Sequence, residues 1–250
     1  MEKKKIIGIK LGSATLVNDG KIRHKFIRRA CKQIAWLVKG GSAVFLVTSG
    51  AIASDSKKSR SNNLRSSVGQ GRIFNEYRII LEKLGVDAGQ MLLTDEQLID
   101  KKSAKTCLTK KILLEAFSDG VVEIINANDV IDNEEINALK DCADNDKLFK
   151  LVCLLVEADV AIIGLDQDGF LDLDGKVMHC IKVSEIESVL DCARGGNELG
   201  HGSEGMRTKV MVLAELAQAK IQAHLAPAKV KDFILRAVLQ ENDFGTKFCA

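Results

Sequence analysis

The chain has 250 residues, of which 46% are hydrophobic and 28% are charged. This balance is typical of a globular protein whose core can form one large domain or two lobes. The net charge is only +2, which argues against a surface built to bind nucleic acid. Apolar runs such as residues 151–156 are far too short to span a bilayer, so no membrane partner is expected.

Cysteine and histidine usage points to a reducing compartment and to no protein-held metal. The chain has seven cysteines, none of which belongs to a C-x-x-C pair. Their odd number and the lack of a signal-like N-terminus predict reduced thiols and a cytoplasmic location. The four histidines are scattered, and they form no metal-ligand spacing with the cysteines.

The first element is an apolar run at residues 6–9 that leads directly into Lys10 and a Gly12-Ser13 turn. Such a run predicts a buried strand. A lysine at the end of a buried strand is costly unless it meets an anion, and ligands bind at that end of open α/β sheets. Lys10 is therefore predicted to bind an anion together with other residues of a site at this end of the strand. The alternative is an ordinary strand whose last side chain leans into solvent.

The remaining segments alternate between helical and strand patterns. Helical spacing of apolar residues predicts helices at residues 24–38, 66–84, 105–117, 147–156, 206–219 and 228–239. Short buried runs predict strands at residues 43–47, 90–93, 121–125, 161–164 and 221–226. This alternation predicts an α/β fold, a three-layer αβα sandwich around a mainly parallel central sheet. The lack of a flexible linker predicts a single domain over residues 1–250.

Two polar segments interrupt the pattern. Residues 54–65 are basic, and we interpret them as a solvated loop, with a mobile lid or a nucleic-acid contact as alternatives. Residues 129–146 are acidic and end in Asp144-Asn145-Asp146, just before a predicted helix. Helix capping can explain one of these three residues but not the whole cluster.

The predicted strand ends together carry Lys10, Lys209, several Gly/Ser turns and two clusters of Asp and Asn. Phosphoryl transfer needs a comparable set, namely cations at the transferred group, backbone N–H groups around its oxygens, and an acid that orients the lysines or holds Mg²⁺. The chain has no P-loop, no protein-kinase signature and no G-x-G-x-x-G after its first strand. No histidine or cysteine lies in a strand-end block, which predicts direct in-line transfer without a phospho-enzyme.

Seven short blocks follow one another along the chain: residues 9–13 (IKLGS), 47–53 (VTSGAIA), 68–72 (VGQGR), 91–94 (MLLT), 126–129 (NAND), 144–146 (DND) and 202–209 (GSEGMRTK). In this order and at this spacing they resemble the glutamate 5-kinases, a group within the amino-acid kinase superfamily. The resemblance covers residues 6 to about 248 and leaves no room for the PUA domain that many bacterial members append. It implies a phosphotransferase that uses ATP and Mg²⁺ to convert L-glutamate into L-glutamyl 5-phosphate, the first step of proline biosynthesis.

The resemblance also implies roles for individual residues. The two catalytic lysines and the acid that holds them are matched by Lys10, Lys209 and Asp146. The amino-acid pocket is matched by Ser49, Gly50, Asn126, Asp129, Asp144 and Asn145. The nucleotide side is matched by Lys10, Gly12, Asp166, Ser203, Gly205, Met206 and Lys209. The family further implies an amino-acid lobe at about residues 1–155, a nucleotide lobe at about 156–250, and a homo-oligomer, either a dimer or a tetramer.

Several positions depart from the family pattern. Ala127 stands where glutamate is usual, Leu165 where threonine is usual, and Ala143 and Glu204 where glycine is usual. Glu204 adds a negative charge and a Cβ beside the predicted nucleotide phosphates. Two alternatives therefore stay open: an enzyme of the same fold acting on another carboxylate or phosphate, and a non-catalytic amino-acid-binding sensor with a degraded nucleotide loop.

Overall fold

A computed structural model of the protein describes residues 4–131, 145–194 and 203–250. Its strands are β1 (Ile6–Leu11), β2 (Val17–Asn18), β3 (Lys21–Ile22), β4 (Ala43–Thr48), β5 (Ala88–Leu93), β6 (Val122–Ala127), β7 (Val160–Leu165), β8 (Cys180–Lys182), β9 (Gln222–Pro227) and β10 (Thr246–Cys249). Its helices are α1 (Ser13–Leu16), α2 (His24–Lys39), α3 (Ala51–Ser54), α4 (Asn62–Lys83), α5 (Glu96–Ile99), α6 (Ala104–Asp119), α7 (Asn145–Leu155), α8 (Ile186–Arg194), α9 (Ser203–Gln218) and α10 (Phe233–Val238).

Within the described residues, one eight-stranded sheet has the order β5-β6-β4-β1-β7-β9-β10-β8, and β2 pairs with β3 in a separate hairpin. Neighbouring strands of the large sheet run parallel, except that β10 is antiparallel to β9. Strand β1 lies between β4 and β7, and all six of its residues are buried. Such full burial explains why its sequence reads as a continuous apolar run.

Helices cover both faces of this sheet. Helices α2, α4 and α10 pack into one apolar cluster, whereas α6, α7, α8 and α9 pack into the other. The prediction of a three-layer αβα sandwich with a mainly parallel sheet is thereby confirmed. No helix in the described ranges is long and apolar enough to cross a bilayer.

The register of the central strands brings their carboxyl ends to one edge of the sheet. Leu11 at the end of β1 pairs with Thr48 at the end of β4 and with Gly164 near the end of β7. Strand β6 continues this alignment, since Ile125 pairs with Val47 of β4. Side chains that follow these four strands therefore emerge close together, which is what creates a site at this edge.

Four helices begin two or more residues away from their predicted starts, and α10 begins at Phe233 rather than at residue 228. Helix α4 begins at Asn62, inside the predicted basic loop, because the Ser61 hydroxyl caps it by accepting the Leu64 N–H at 3.3 Å. Helix α7 begins at Asn145, so Asp146 lies inside its first turn rather than before it. Helix α9 likewise begins at Ser203, three residues before the predicted start.

Two glycines give a matched test of the packing around β1. A Cβ on Gly8 would lie 2.6 Å from Phe45 Cζ and 3.1 Å from Cys153 Sγ, whereas a Cβ on Gly71 in α4 would meet nothing within 4 Å. We expect Gly8→Ala to lower the free energy of unfolding by about 1–3 kcal/mol through overpacking. Gly71→Ala should raise it by about 0.5–1 kcal/mol, because alanine favours a helix interior. Urea denaturation measures both, and a Gly8→Ala variant as stable as wild type would contradict the described packing.

Candidate active site

The candidate site centres on one buried carboxylate at the carboxyl edge of the sheet. Lys10, at the penultimate position of β1, places its Nζ 2.5 Å from Asp146 Oδ1, and the two side chains are 4% and 0% exposed. Lys209 from α9 places its Nζ 3.0 Å from Asp146 Oδ2. Two ammonium groups from distant parts of the chain therefore share a single aspartate.

The charges of this cluster do not balance. Among the described residues, two lysines and one aspartate leave one positive charge in excess, and Lys209 is the more exposed lysine, with 20% of its side chain accessible. The Lys209 ammonium also donates a hydrogen bond to the Gly205 carbonyl at 3.0 Å, which fixes its direction. Ordered cations with excess positive charge can stabilise an anionic ligand and the charge that develops on it during reaction.

Gly12 leaves space beside the first of these lysines. A Cβ at this position would lie 3.6 Å from Lys10 Nζ, so a larger side chain would fill the volume next to the ammonium group. The turn that follows β1 is closed by Thr15, whose hydroxyl donates to the Gly12 carbonyl at 2.7 Å. The predicted nucleotide contact at Gly12 is compatible with this open space.

Ser49 and Gly50 continue from β4, the neighbour of β1. The Ser49 N–H donates to the Leu11 carbonyl at 3.1 Å and so extends the pairing of the two strands by one bond. Gly50 then adopts a φ of +94°, in the left-handed region that favours glycine. The chain consequently turns sharply into α3 at the edge of the sheet.

Asn126 and Asp129 mark the end of β6. Asn126 is 5% exposed, and its Oδ1 is buried without a hydrogen-bond partner within the described ranges. Because buried polar atoms are nearly always paired, this oxygen is a candidate acceptor for a ligand donor. Asp129 Oδ2 accepts a hydrogen bond from the Ser66 hydroxyl at 3.2 Å.

Asn145 has a structural contact that the sequence did not indicate. Its Oδ1 accepts the Ala127 N–H at 3.2 Å, which ties the first turn of α7 to the end of β6. This oxygen therefore holds the strand end in place, and the predicted substrate contact of Asn145 is left to its amide nitrogen. Asp144, the other member of this cluster that was predicted to contact substrate, lies outside the described residues.

Arg23 connects two strand ends on the side of the site that is predicted to bind the nucleotide. Asp166, which follows β7, has its Oδ1 3.5 Å from Arg23 Nη1. Arg23 also donates to the Ala14 carbonyl at 3.3 Å, so it links the turn after β1 to the end of β7. Sequence reasoning missed Arg23, because nothing in its local pattern separates it from the other basic residues at the start of α2.

Residues 203–209 of the last family block form the first turns of α9 beside this site. Ser203 is the first residue of the helix, and Gly205 supplies the carbonyl that Lys209 contacts. Met206 packs in part against the apolar core, so its predicted nucleotide contact would involve only its exposed portion. No group of three or more His, Cys, Asp or Glu side chains in the described ranges could hold a metal ion.

Asp55 organises the basic segment next to the site. Its carboxylate lies 3.0 Å from Arg60 and 3.8 Å from Arg72. Burial pushes the pKa of Asp55 upward, but the Lys57 N–H and the Arg60 guanidinium outweigh it and leave the pKa below its usual range. Within the basic segment at residues 54–65, Arg60 is thus held by an internal acid, and Arg72 approaches the same carboxylate from α4.

The central ion pairs can be tested by their effect on stability. Asp146→Ala should lower the free energy of unfolding by about 3–5 kcal/mol, because it leaves Lys10 buried without a counter-charge. The double variant Lys10→Met/Asp146→Ala should recover most of this loss, since it removes the unpaired charge. Lys150→Ala breaks an exposed pair with Glu215 (2.7 Å), and it should cost less than about 1 kcal/mol. Urea denaturation measures all three, and an unchanged Asp146→Ala variant would contradict the described geometry.

Comparison with known proteins agrees with this architecture. The amino acid kinase family model matches residues 5–227. The glutamate 5-kinase of Alkaliphilus oremlandii is 31% identical over 96% of this chain and 95% of its own length. That of Caldanaerobacter subterraneus is 32% identical over 97% of this chain and 67% of its own length.

A solved structure shows that the fold is shared as well. The carbamate kinase from Giardia lamblia bound to AMP-PNP superposes with a TM-score of 0.69 at 17% sequence identity, covering 100% of this chain and 99% of that one. Sequence and structure therefore agree with the resemblance carried by the seven blocks. The chain belongs to the amino acid kinase family.

Proposed function

We propose that this protein is an ATP-dependent kinase that phosphorylates the γ-carboxylate of L-glutamate to give L-glutamyl 5-phosphate, the first step of proline biosynthesis. The observation that carries the proposal is the convergence of Lys10 and Lys209 on Asp146. The acceptor carboxylate and the ATP γ-phosphate are both anionic, so they can approach each other only where cations offset their repulsion. The glutamate 5-kinases that match the chain over most of its length support glutamate as the acceptor.

The amino-acid end of the substrate needs the opposite chemistry. The α-ammonium group of glutamate carries a positive charge and three N–H donors. Suitable acceptors are Asp129 and Asn126 Oδ1, which has no hydrogen-bond partner among the described residues. Ser49 and Gly50 would line the same pocket from the end of β4. An anion site lined with acids is therefore expected for a zwitterionic acceptor.

ATP and Mg²⁺ are included in this proposal. The excess positive charge of the lysine cluster and the open space beside Gly12 fit the phosphates of a nucleotide. Because the described residues contain no cluster that could hold a metal, Mg²⁺ would enter bound to the ATP phosphates, as this ion commonly does. It would offset phosphate charge there, while Lys10 and Lys209 hold the transferring group for direct in-line attack.

Of the substitutions that prompted the alternatives, Leu165 weighs little against catalysis, whereas Ala143 and the Glu204 side chain lie outside what the structure describes. Leu165 is 6% exposed and belongs to the apolar core, so it packs inside the protein. Lys10, Asp146 and Lys209 are all present and in contact. No described contact favours another acceptor or a sensor without activity.

We further assign residues 1–155 to the amino-acid half and 156–250 to the nucleotide half, and we place the enzyme in the cytoplasm, where its thiols would stay reduced.

We also propose that the protein is a homo-oligomer, either a dimer or a tetramer. Ile99 of α5 and Leu108 of α6 are 60% and 59% exposed, and these helices contact each other. Such neighbouring apolar side chains are often covered by a second subunit. Light scattering should give a mass of two or four chains, and a monomer over the micromolar range would contradict this proposal.

The activity is tested by ADP release with L-glutamate and Mg-ATP. We expect turnover by the wild type and a loss of at least about a hundredfold in Lys10→Ala and Lys209→Ala, since each removes a cation at the reacting group. Lys150→Ala is the matched control, because it removes a partly exposed lysine that pairs with Glu215 instead of Asp146, and it should retain wild-type turnover.

Two further measurements sharpen the result. A panel of acceptors (glutamate, aspartate, acetylglutamate and carbamate) should give the highest kcat/KM with glutamate. After incubation with ATP, no covalently phosphorylated protein should be isolated. Wild-type turnover no higher than that of Lys10→Ala would reject the kinase assignment, whereas faster turnover with another acceptor would reject only the substrate.

A further inference from the structure

Helix α4 presents a polar stripe to the candidate acceptor pocket. Its members are Asn63, Ser66 and Gln70, which lie at positions i, i+3 and i+7 and therefore share one face of the helix. The same face continues with Ile73 and Tyr77, both buried in the apolar core. This face of α4 is therefore polar only in the first turns of the helix, beside the end of β6.

Each member of the polar stripe contacts the segment that follows β6. Asn63 Nδ2 donates to the Asp129 carbonyl at 3.0 Å, and the Ser66 hydroxyl donates to Asp129 Oδ2 at 3.2 Å. Gln70 Nε2 donates to the Ala127 carbonyl at 3.2 Å. Ser66 and Gln70 are 0% and 6% exposed, so water cannot readily replace either donor.

The backbone of Ala127 is held from both sides. Its carbonyl accepts from Gln70, and its N–H donates to Asn145 Oδ1 at 3.2 Å. Asn126 precedes Ala127 directly and Asp129 follows it by two residues, and these are the two acceptors assigned to the substrate ammonium group. A shift of the Ala127 backbone would therefore move both acceptors relative to the lysine cluster.

Gly69 allows α4 to lie close enough to act in this way. A Cβ at this position would collide with the Ala51 carbonyl at the start of α3, directly after Gly50. The helix consequently packs against α3, which follows the end of β4, on one side and contacts the end of β6 on the other. Both walls of the acceptor pocket depend on its position.

We propose that Gln70 and Ser66 are positioning residues for the amino-acid acceptor, acting through the Ala127 backbone and the Asp129 carboxylate. This inference rests on the proposed function and adds to it the residues that hold the acceptor site in shape. Neither residue needs to touch the reacting atoms, so their loss should weaken acceptor binding and leave nucleotide binding intact.

The test compares two buried glutamines that make the same kind of contact. Gln70→Leu should raise the KM for glutamate by about tenfold, because a buried carbonyl loses its donor next to the pocket. The KM for ATP should change by less than about twofold, since Gln70 contacts only the acceptor side. Gln33→Leu is the matched control, because Gln33 is 4% exposed and bridges Lys231 and Ile234, away from the site.

Ser66→Ala is a milder second variant, which deletes one hydroxyl and keeps the helix intact. It should raise the KM for glutamate in the same direction, and Ser66→Thr, which restores a hydroxyl, should recover most of the loss. If Gln70→Leu folds poorly, this pair decides the question.

The possible outcomes separate the two proposals. A raised KM for glutamate in Gln70→Leu or Ser66→Ala, with an unchanged KM for ATP and a normal KM in Gln33→Leu, supports the positioning role. An active wild type whose KM for glutamate is the same in both α4 variants overturns it and leaves the kinase assignment standing. An equal rise of both KM values, or the same rise in Gln33→Leu, assigns these residues to general stability and also overturns it. A wild type without turnover rejects the proposed function itself.

Discussion

The charge on one fully buried carboxylate governs the arrangement of the functional edge. Lys10 lies in the central strand of the sheet, where an ammonium group is tolerated only beside an anion. Asp146 supplies that anion from the first turn of α7, so the helix must place this turn against the end of β1. The same packing that stabilises a buried lysine therefore brings Lys10, Asp146 and Lys209 together without a ligand. Phosphoryl transfer benefits from such preorganised charges.

Two kinds of support surround this cluster. On the side predicted to bind the nucleotide, Lys209 is directed by Gly205 within its own helix, and Arg23 joins two strand ends across a partly exposed gap. On the side predicted to bind the amino acid, backbone groups are fixed by buried side chains of α4 and α7. This difference would suit the two proposed ligands, because a small amino acid must be placed by a rigid pocket, whereas a triphosphate can be held chiefly by charge.

The sequence predicted the central part of this structure because that part is locally encoded. Continuous apolar runs identified the buried strands, and Lys10 stood out because a charged residue ended such a run. The contact between Asn145 and Ala127 joins residues 18 positions apart, and no local pattern could have revealed it. The roles of Ser66 and Gln70 were hidden for a related reason. Both lie inside the predicted helix, but their partners Asp129 and Ala127 are about 60 positions away along the chain.

Strands β8 and β10, at one end of the sheet, could not be predicted from periodicity. Strand β8 has three residues and β10 has four, which is too short for an alternating pattern to be recognised. Both owe their conformation to pairing with other strands.

The place of β10 in the sheet has a consequence for biosynthesis. It is inserted between β9 and β8, although it follows both of them along the chain. Residues 180–182 therefore emerge from the ribosome well before residues 246–249 can pair with them. Until β10 has been synthesised, the backbone groups on this side of the sheet are not paired with another strand. A nascent chain that already contains its lysine cluster therefore still has an open sheet edge, where chaperones can bind and aggregation can begin.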